Sequence, residues 1–95
     1  MNKPLISYVV TTYNIENYVE ESVSCAFEQT YSPLEIVLSD DCSTDSTFEI
    51  MERMAKEYTG PHKIVLNRNE KNLGITKHMN RAYLELATGE IIVAA

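Results

Sequence analysis

The sequence predicts an α/β protein with a parallel sheet. Short apolar runs alternate with segments of helical periodicity, in the order βαβαβαβ. The runs YVV, IVL and IIV are continuously apolar, as expected for strands that are covered on both faces. Right-handed crossovers between such strands give a Rossmann-like sheet in the order 3-2-1-4, with helices on both faces.

The first half of the chain supplies two strands and one helix. The β-branched run at 5–10 predicts the first strand, and 34–39 predicts the second. Between them, 15–29 has the spacing of one helix face, and Asn14 is predicted to cap its start. The apolar positions of this face are Val19, Val23, Ala26 and Phe27.

The second half continues the alternation. It is predicted to contain a helix at 46–58, a strand at 63–66, a helix at 74–87 and a strand at 90–94. Ser46 and Glu49 have the spacing of a capping box, and Asp45 is interpreted as a helix-start residue. The positions of the third helix predicted to face the core are Ile75, Met79, Ala82, Tyr83 and Leu86.

Composition excludes several classes of protein. The 95 residues are 44% hydrophobic and 23% charged, which is ordinary for a folded domain. The net charge of −6 disfavours binding to nucleic acid or to an anionic membrane surface. No signal peptide or membrane span is evident, and two cysteines indicate free thiols, so a cytoplasmic location is predicted. Attachment of a longer protein to the inner face of a membrane stays open.

Polar residues collect where the predicted strands end. The segments concerned are 11–14, 40–43, 67–69 and 72–74. Ligands of doubly wound sheets bind beyond the carboxyl ends of the strands, where the strand order reverses, which here is between strands 1 and 4. No glycine-rich phosphate loop follows strand 1, which argues against dinucleotide binding and against P-loop nucleotidases.

Two adjacent carboxylates, Asp40 and Asp41, end the second strand. Successive strand residues point to opposite sides, so one carboxylate can face the crevice while the other binds its own turn. Both histidines, His62 and His78, are interpreted as structural, since the sequence supplies no partners for a metal site.

Three segments carry a resemblance to a known family: ISYVVTTYN, FEQTYSPLEIVLSDDCSTDST and NLGITKHMNRAYLELATGEIIVAA. In this order they resemble the N-terminal part of family 2 glycosyltransferases of the GT-A fold, from about residue 5 to residue 95. The resemblance implies sugar transfer with inversion from a nucleoside diphosphate sugar, most often a UDP sugar, to a saccharide or lipid-linked acceptor.

The resemblance also implies roles for particular residues. Thr11 and Tyr13 would flank the base, Asp41 would accept its imide N–H, and Lys77 would lie near the diphosphate. A carboxylate only accepts, so uracil, thymine and guanine are all suitable, whereas adenine and cytosine offer no equivalent ring N–H. The candidate nucleotide-binding residues are Thr11, Tyr13, Asn14, Asp41, Asn72, Gly74 and Lys77.

Members of the family continue from this region into a DxD-type motif that holds a divalent metal. The chain is therefore interpreted as the nucleotide-sugar-binding part of the enzyme, residues 1–95, cut before that motif. Mg or Mn is expected in the full-length enzyme, with its site outside this chain, as are the catalytic base and the acceptor site. The fragment itself is expected to be inactive.

Two other functions stay open from the sequence. One is a stand-alone nucleotide-binding or protein-interaction module without catalysis. The other is a receiver-like phosphoacceptor, which the position of the acidic pair after the second strand disfavours. The apolar strand at 90–94 would be an unprotected sheet edge, so self-association through it, or fraying, is also predicted.

Overall fold

The computed structural model describes residues 3–95. The elements are β1 (Ile6–Thr12), α1 (Val19–Phe27), β2 (Leu34–Asp40), α2 (Thr47–Glu57), β3 (Lys63–Arg68), α3 (Ile75–Arg81), a π-helical turn (Ala82–Leu86) and β4 (Ile91–Ala94). All strand pairs are parallel, and the order is β3-β2-β1-β4. The predicted α/β class, Rossmann-like sheet and strand order are confirmed.

Helices cover both faces of the sheet, as predicted. On one face α1 and α2 bury Val19, Val23 and Met51 against the sheet. On the other, Ala82 of the π-helical turn packs against Val9 and Val37. All residues of β2 are buried, which explains its continuous apolar run.

The prediction that Asn14 caps the first helix is wrong. That helix begins at Val19, after a turn in which the carbonyl of Ile15 accepts the N–H groups of Tyr18 and Val19. Asn14 lies ahead of this turn with φ +51°, a conformation that asparagine tolerates better than most residues. Its side-chain oxygen accepts the N–H of Thr44 instead, at 2.8 Å.

The capping box predicted at the second helix does not form. Ser46 is the N-cap residue of α2 but makes no side-chain capping bond. Asp45 takes that role, since its Oδ1 accepts the N–H of Thr47 at 2.9 Å. Its interpretation as a helix-start residue is therefore confirmed.

The third helix differs from the single inward-facing helix predicted at 74–87. The regular part ends at Arg81, and a π-helical turn follows. Ile75 is 82% exposed, so the prediction that it faces the core is wrong. Ile75 is the first residue of the helix and lies near the strand-end residues Thr11 and Asp41, whereas Ala82 packs against the sheet.

A buried carboxylate fixes the connection into β4. Glu35 is fully buried and accepts the Ser7 hydroxyl at 2.8 Å, and both the N–H and the hydroxyl of Thr88. Ser7 Oγ accepts the N–H of Gly89, where a Cβ would lie 2.7 Å from the Ser7 nitrogen. Burial acts to raise the pKa of Glu35, but hydrogen bonds from Thr88, Ser7 and Lys63 outweigh it and hold the pKa below its usual value.

The outer strand β4 is exposed. Ile91, Ile92 and Val93 are between 39% and 48% accessible. No helix within residues 3–95 is both long and apolar enough to cross a membrane.

Candidate functional site

A cavity of about 570 Å³ opens at the carboxyl ends of β1 and β2. The strand ends form one side, and the segment that begins α3 forms the other. Its lining residues are Thr11, Thr12, Tyr13, Asp41, Asn72, Gly74, Ile75, His78 and Met79. None of them belongs to β4, so the cavity lies between β1, β2 and α3 rather than between β1 and β4.

Asp41 is the carboxylate of this lining, and three donors hold it. Its Oδ1 accepts the N–H of Leu73 at 2.8 Å and the side-chain amide of Asn69 at 2.9 Å. Its Oδ2 accepts the N–H of Gly74 at 3.0 Å. Each carboxylate oxygen can accept about two hydrogen bonds, so Oδ2 keeps one lone pair for a ligand.

These donors also decide the charge of Asp41. Burial acts to raise its pKa, but the N–H of Leu73, the amide of Asn69, the N–H of Gly74 and the nearby His78 together hold the pKa below its usual value. The side chain is therefore ionised at neutral pH and only accepts hydrogen bonds.

Gly74 has the backbone conformation that brings its N–H to Asp41. Its φ is +86° and its ψ is +162°, a region that is essentially restricted to glycine. A Cβ at this position would meet no atom within 4 Å. The requirement for glycine is therefore conformational and not steric.

Asp40 is turned away from the cavity and holds the turn after β2. Its Oδ1 accepts the hydroxyls of Thr12 at 2.8 Å and Ser43 at 2.6 Å, and its Oδ2 accepts the N–H of Ser43 at 2.8 Å. It is fully buried and does not line the cavity. The two adjacent aspartates thus have separate surroundings.

The structure brings five of the seven sequence-predicted site residues into the lining: Thr11, Tyr13, Asp41, Asn72 and Gly74. Asn14 and Lys77 are not among them. Asn14 is exposed and ties the β1–α1 loop to Thr44 and Ser43. Lys77 is exposed on α3.

Four lining residues were not predicted: Thr12, Ile75, His78 and Met79. The sequence predicts that Ile75 and Met79 face the core and indicates a structural role for His78. His78 is 3% exposed, and its Nε2 lies 2.8 Å from the Ser39 hydroxyl. A sequence signal existed, because His78 is four residues before the buried Ala82 and so shares its helix face.

The lining does not fit a divalent metal ion. Within the described residues 3–95, no three His, Cys, Asp or Glu side chains are grouped to hold one. The oxygens of Asp41 are already engaged by three N–H donors, and Nε2 of His78 by a hydroxyl. Only one lone pair of Asp41 Oδ2 stays free, so a metal that prefers several oxygen ligands would have to displace these bonds to gain the others.

Comparison with known proteins gives a consistent result. The model of the family described as glycosyl transferase family 2 matches residues 7–94. The chain is 34% identical over 90 residues to the putative teichuronic acid biosynthesis glycosyltransferase TuaG of Bacillus subtilis, which covers 95% of this chain and 34% of that protein. The chain spans about a quarter to a third of the length of three curated relatives that it matches, TuaG among them.

Two solved structures share the fold. The mannosyltransferase PcManGT of Pyrobaculum calidifontis, in complex with GDP-Man and Mn²⁺, superposes with a TM-score of 0.84 at 32% identity, over 96% of this chain and 26% of that one. TarS 1–349 of Staphylococcus aureus, in complex with UDP-GlcNAc, gives a TM-score of 0.78 at 32% identity, over 95% and 25%.

Proposed function

The chain belongs to glycosyl transferase family 2, and from that membership we propose that residues 1–95 form the nucleotide-sugar-binding part of a GT-A glycosyltransferase. The full protein transfers a sugar from a nucleoside diphosphate sugar, UDP-linked in our proposal, to a saccharide or lipid-linked acceptor. Relatives named for teichuronic acid biosynthesis and for N-acetylglucosaminyl transfer to poly(ribitol-phosphate) support such an acceptor.

One observation carries the proposal: an ionised carboxylate with a free lone pair lines a cavity at the carboxyl end of the sheet. In our proposal the ring N–H of the base donates to Oδ2 of Asp41. Tyr13, which is 45% exposed at the cavity, supplies a ring on which the base stacks. Thr11, Asn72 and Gly74 complete the wall around the nucleoside.

The complexes of the two structural relatives support the choice of base. One contains UDP-GlcNAc and the other GDP-Man. Uracil and guanine share a ring N–H that a carboxylate can accept, whereas cytosine and adenine present a bare ring nitrogen at that place. We choose uridine because it is the commonest donor base of the family.

In the transfer that we propose, the acceptor hydroxyl forms a bond to the anomeric carbon as the bond to the diphosphate breaks, which inverts the configuration. The hydroxyl proton passes to a carboxylate base, which we place outside residues 3–95. We place the Mg or Mn ion outside them as well, since the lining does not fit it. Lys77 stays a proposed neighbour of the diphosphate. We also propose that the protein works in the cytoplasm.

Titration of the 95-residue chain with UDP and CDP, followed by NMR, tests this proposal. We expect UDP to bind with a Kd of roughly 0.1–1 mM, or about 4–5.5 kcal/mol, and without sugar transfer. CDP should bind at least about tenfold more weakly, because its N3 lone pair would face the carboxylate. Glu57→Gln, an exposed substitution on α2, serves as a control and should leave the affinities for UDP and CDP unchanged. Equal affinity for UDP and CDP would refute the base-reading role, and sugar transfer by this chain alone would refute its inactivity.

We also propose that the 95-residue chain self-associates through β4. The support is an edge strand with three exposed apolar residues, a surface that can pair with a second copy of itself. The pairing would be antiparallel and isologous across 90–94. Ile92→Lys should shift the mass measured by light scattering after gel filtration towards the monomer. A monomeric wild-type chain whose β4 amides are protected from hydrogen exchange would contradict the proposal.

A further inference from the structure

His78 is a buried histidine at the wall of the cavity. It is 3% exposed, and only one of its two ring nitrogens has a partner within residues 3–95: Nε2 lies 2.8 Å from the hydroxyl of Ser39. Which atom donates in this contact decides where the ring proton is. The neighbouring hydrogen bonds provide the answer.

A chain of hydrogen bonds leads from Asp41 to His78, and its direction is fixed at the carboxylate. Asp41 only accepts, so the NH₂ group of Asn69 must face it, at 2.9 Å. The oxygen of Asn69 then faces Asn67, whose NH₂ group donates to it at 3.1 Å. The second N–H of Asn67 donates to the hydroxyl oxygen of Ser39 at 3.0 Å.

Ser39 therefore donates its own proton to His78. Its oxygen already accepts from Asn67, and Nε2 of His78 is the remaining partner of this fully buried hydroxyl. If Nε2 carried a proton, the Ser39 O–H would be buried without an acceptor, which is costly. The ring is thus neutral, with its proton on Nδ1.

Nδ1 faces accessible space. Within residues 3–95, two buried side-chain atoms lack a hydrogen-bond partner and are closed to solvent, His62 Nδ1 and Arg81 Nε. His78 Nδ1 also lacks a partner within this range but is not among them, so it retains accessible surface. Since His78 lines the cavity, we assign the open side of Nδ1 to it. Burial lowers the pKa of His78, Asp41 and Asp40 act to raise it, and Arg81 acts to lower it. The net effect is a lowered pKa, which agrees with a neutral ring.

We propose that His78 determines base specificity together with Asp41: its Nδ1–H donates to the ring carbonyl next to the N–H that Asp41 accepts, which is O4 in uracil and thymine and O6 in guanine. The pair then reads an N–H next to a C=O, a pattern that uracil, thymine and guanine present. Cytosine and adenine carry an amino group where that carbonyl would be, so they place a donor against a donor. This inference rests on the proposed function, since it places a nucleobase in the cavity.

Three substitutions of His78 in the full-length protein distinguish the contributions of its two ring nitrogens. His78→Asn puts an amide N–H near the position of Nδ1, and His78→Gln puts an amide near Nε2, where it can still bond Ser39. His78→Ala removes both. With UDP as the probe, we expect the Gln and Ala variants to bind about tenfold more weakly, and the Asn variant to stay within about threefold of the wild type. His62→Gln, at the opposite end of the sheet, is the matched control and should not change the affinity.

Histidine ¹⁵N spectra of the ligand-free protein test the tautomer without any nucleotide. We expect the proton of His78 on Nδ1 at neutral pH, and a mixture of tautomers in Ser39→Ala. A proton on Nε2 would overturn the inference. So would a wild type that prefers UDP to CDP while His78→Gln retains full affinity, although the proposed function would stand. Failure of UDP and GDP alike to bind would overturn the proposed function, and the base-reading role with it.

Discussion

Replacing Asp41 by asparagine separates two roles of this side chain: the hydrogen bonds that it accepts in the structure, and the N–H of the base that it accepts in our proposal. Two donors, Leu73 and Asn69, meet at Oδ1, whereas Gly74 alone meets Oδ2. The amide introduced by Asp41→Asn would therefore keep its oxygen at the Oδ1 position, where it satisfies two donors. Its NH₂ group would then face the N–H of Gly74 and the base.

The expected loss of stability follows from the number of hydrogen bonds that the variant loses or weakens. The variant loses one hydrogen bond to a charged acceptor, worth about 1.5–3 kcal/mol, and two others become neutral and weaker. We expect a loss of about 2–3 kcal/mol in the free energy of unfolding. With a urea m value of about 1–2 kcal/mol/M, the midpoint falls by roughly 1–3 M. Asp41→Ala leaves all three donors without the carboxylate and should be less stable still.

Urea unfolding and donor kinetics test the two tasks in turn. In the full-length enzyme the KM for the donor should rise at least about tenfold in Asp41→Asn, because a donor replaces an acceptor at the base. Asp40→Asn is the comparison: it should lose stability through Thr12 and Ser43 with a smaller change in KM. The reasoning is wrong if Asp40→Asn raises the KM while Asp41→Asn does not, or if Asp41→Asn unfolds at the wild-type midpoint.

Three further predictions concern backbone strain and pH. Gly74→Ala forces a side chain to φ +86° and should reduce the free energy of unfolding by about 1–3 kcal/mol, measured with urea; wild-type stability would refute the conformational requirement. Glu35→Gln should be about 1–3 kcal/mol less stable near neutral pH. Because the folded-state pKa of Glu35 lies below 4.5, the stability that it adds is present above that pH and is lost as the pH falls through the folded-state pKa, so the variant should show a shallower acid transition. The folded-state pKa of His78 is lowered, so the unfolded chain takes up the proton first as the pH falls below 6.5, and the free energy of unfolding should decrease from there. His78→Asn lacks this titrating group, so its urea midpoint should fall less with decreasing pH. An equally steep fall in the variant and the wild type would contradict the prediction.

The sequence by itself determined the class of fold, the order of the strands and the edge of the sheet at which the cavity lies. These properties depend on local regularities: the period of apolar residues, the length of each run and the polar residues at each strand end. It also limited the acidic pair to one crevice-facing member, because neighbouring strand residues point to opposite sides.

Only the tertiary structure decided which groups meet. Asp41 contacts donors 28–33 residues away in the sequence. Asn14, predicted to cap a helix, instead bonds Thr44, 30 residues later in the chain. Ile75 lies outside the core although its spacing fits the apolar face of the helix, since it lines the cavity at the strand ends. The tautomer of His78 depends on a chain of side chains that runs through Ser39, Asn67 and Asn69 to Asp41. The direction of each hydrogen bond in this chain depends on the neighbouring group, which comes from another part of the sequence, so no local sequence pattern predicts it.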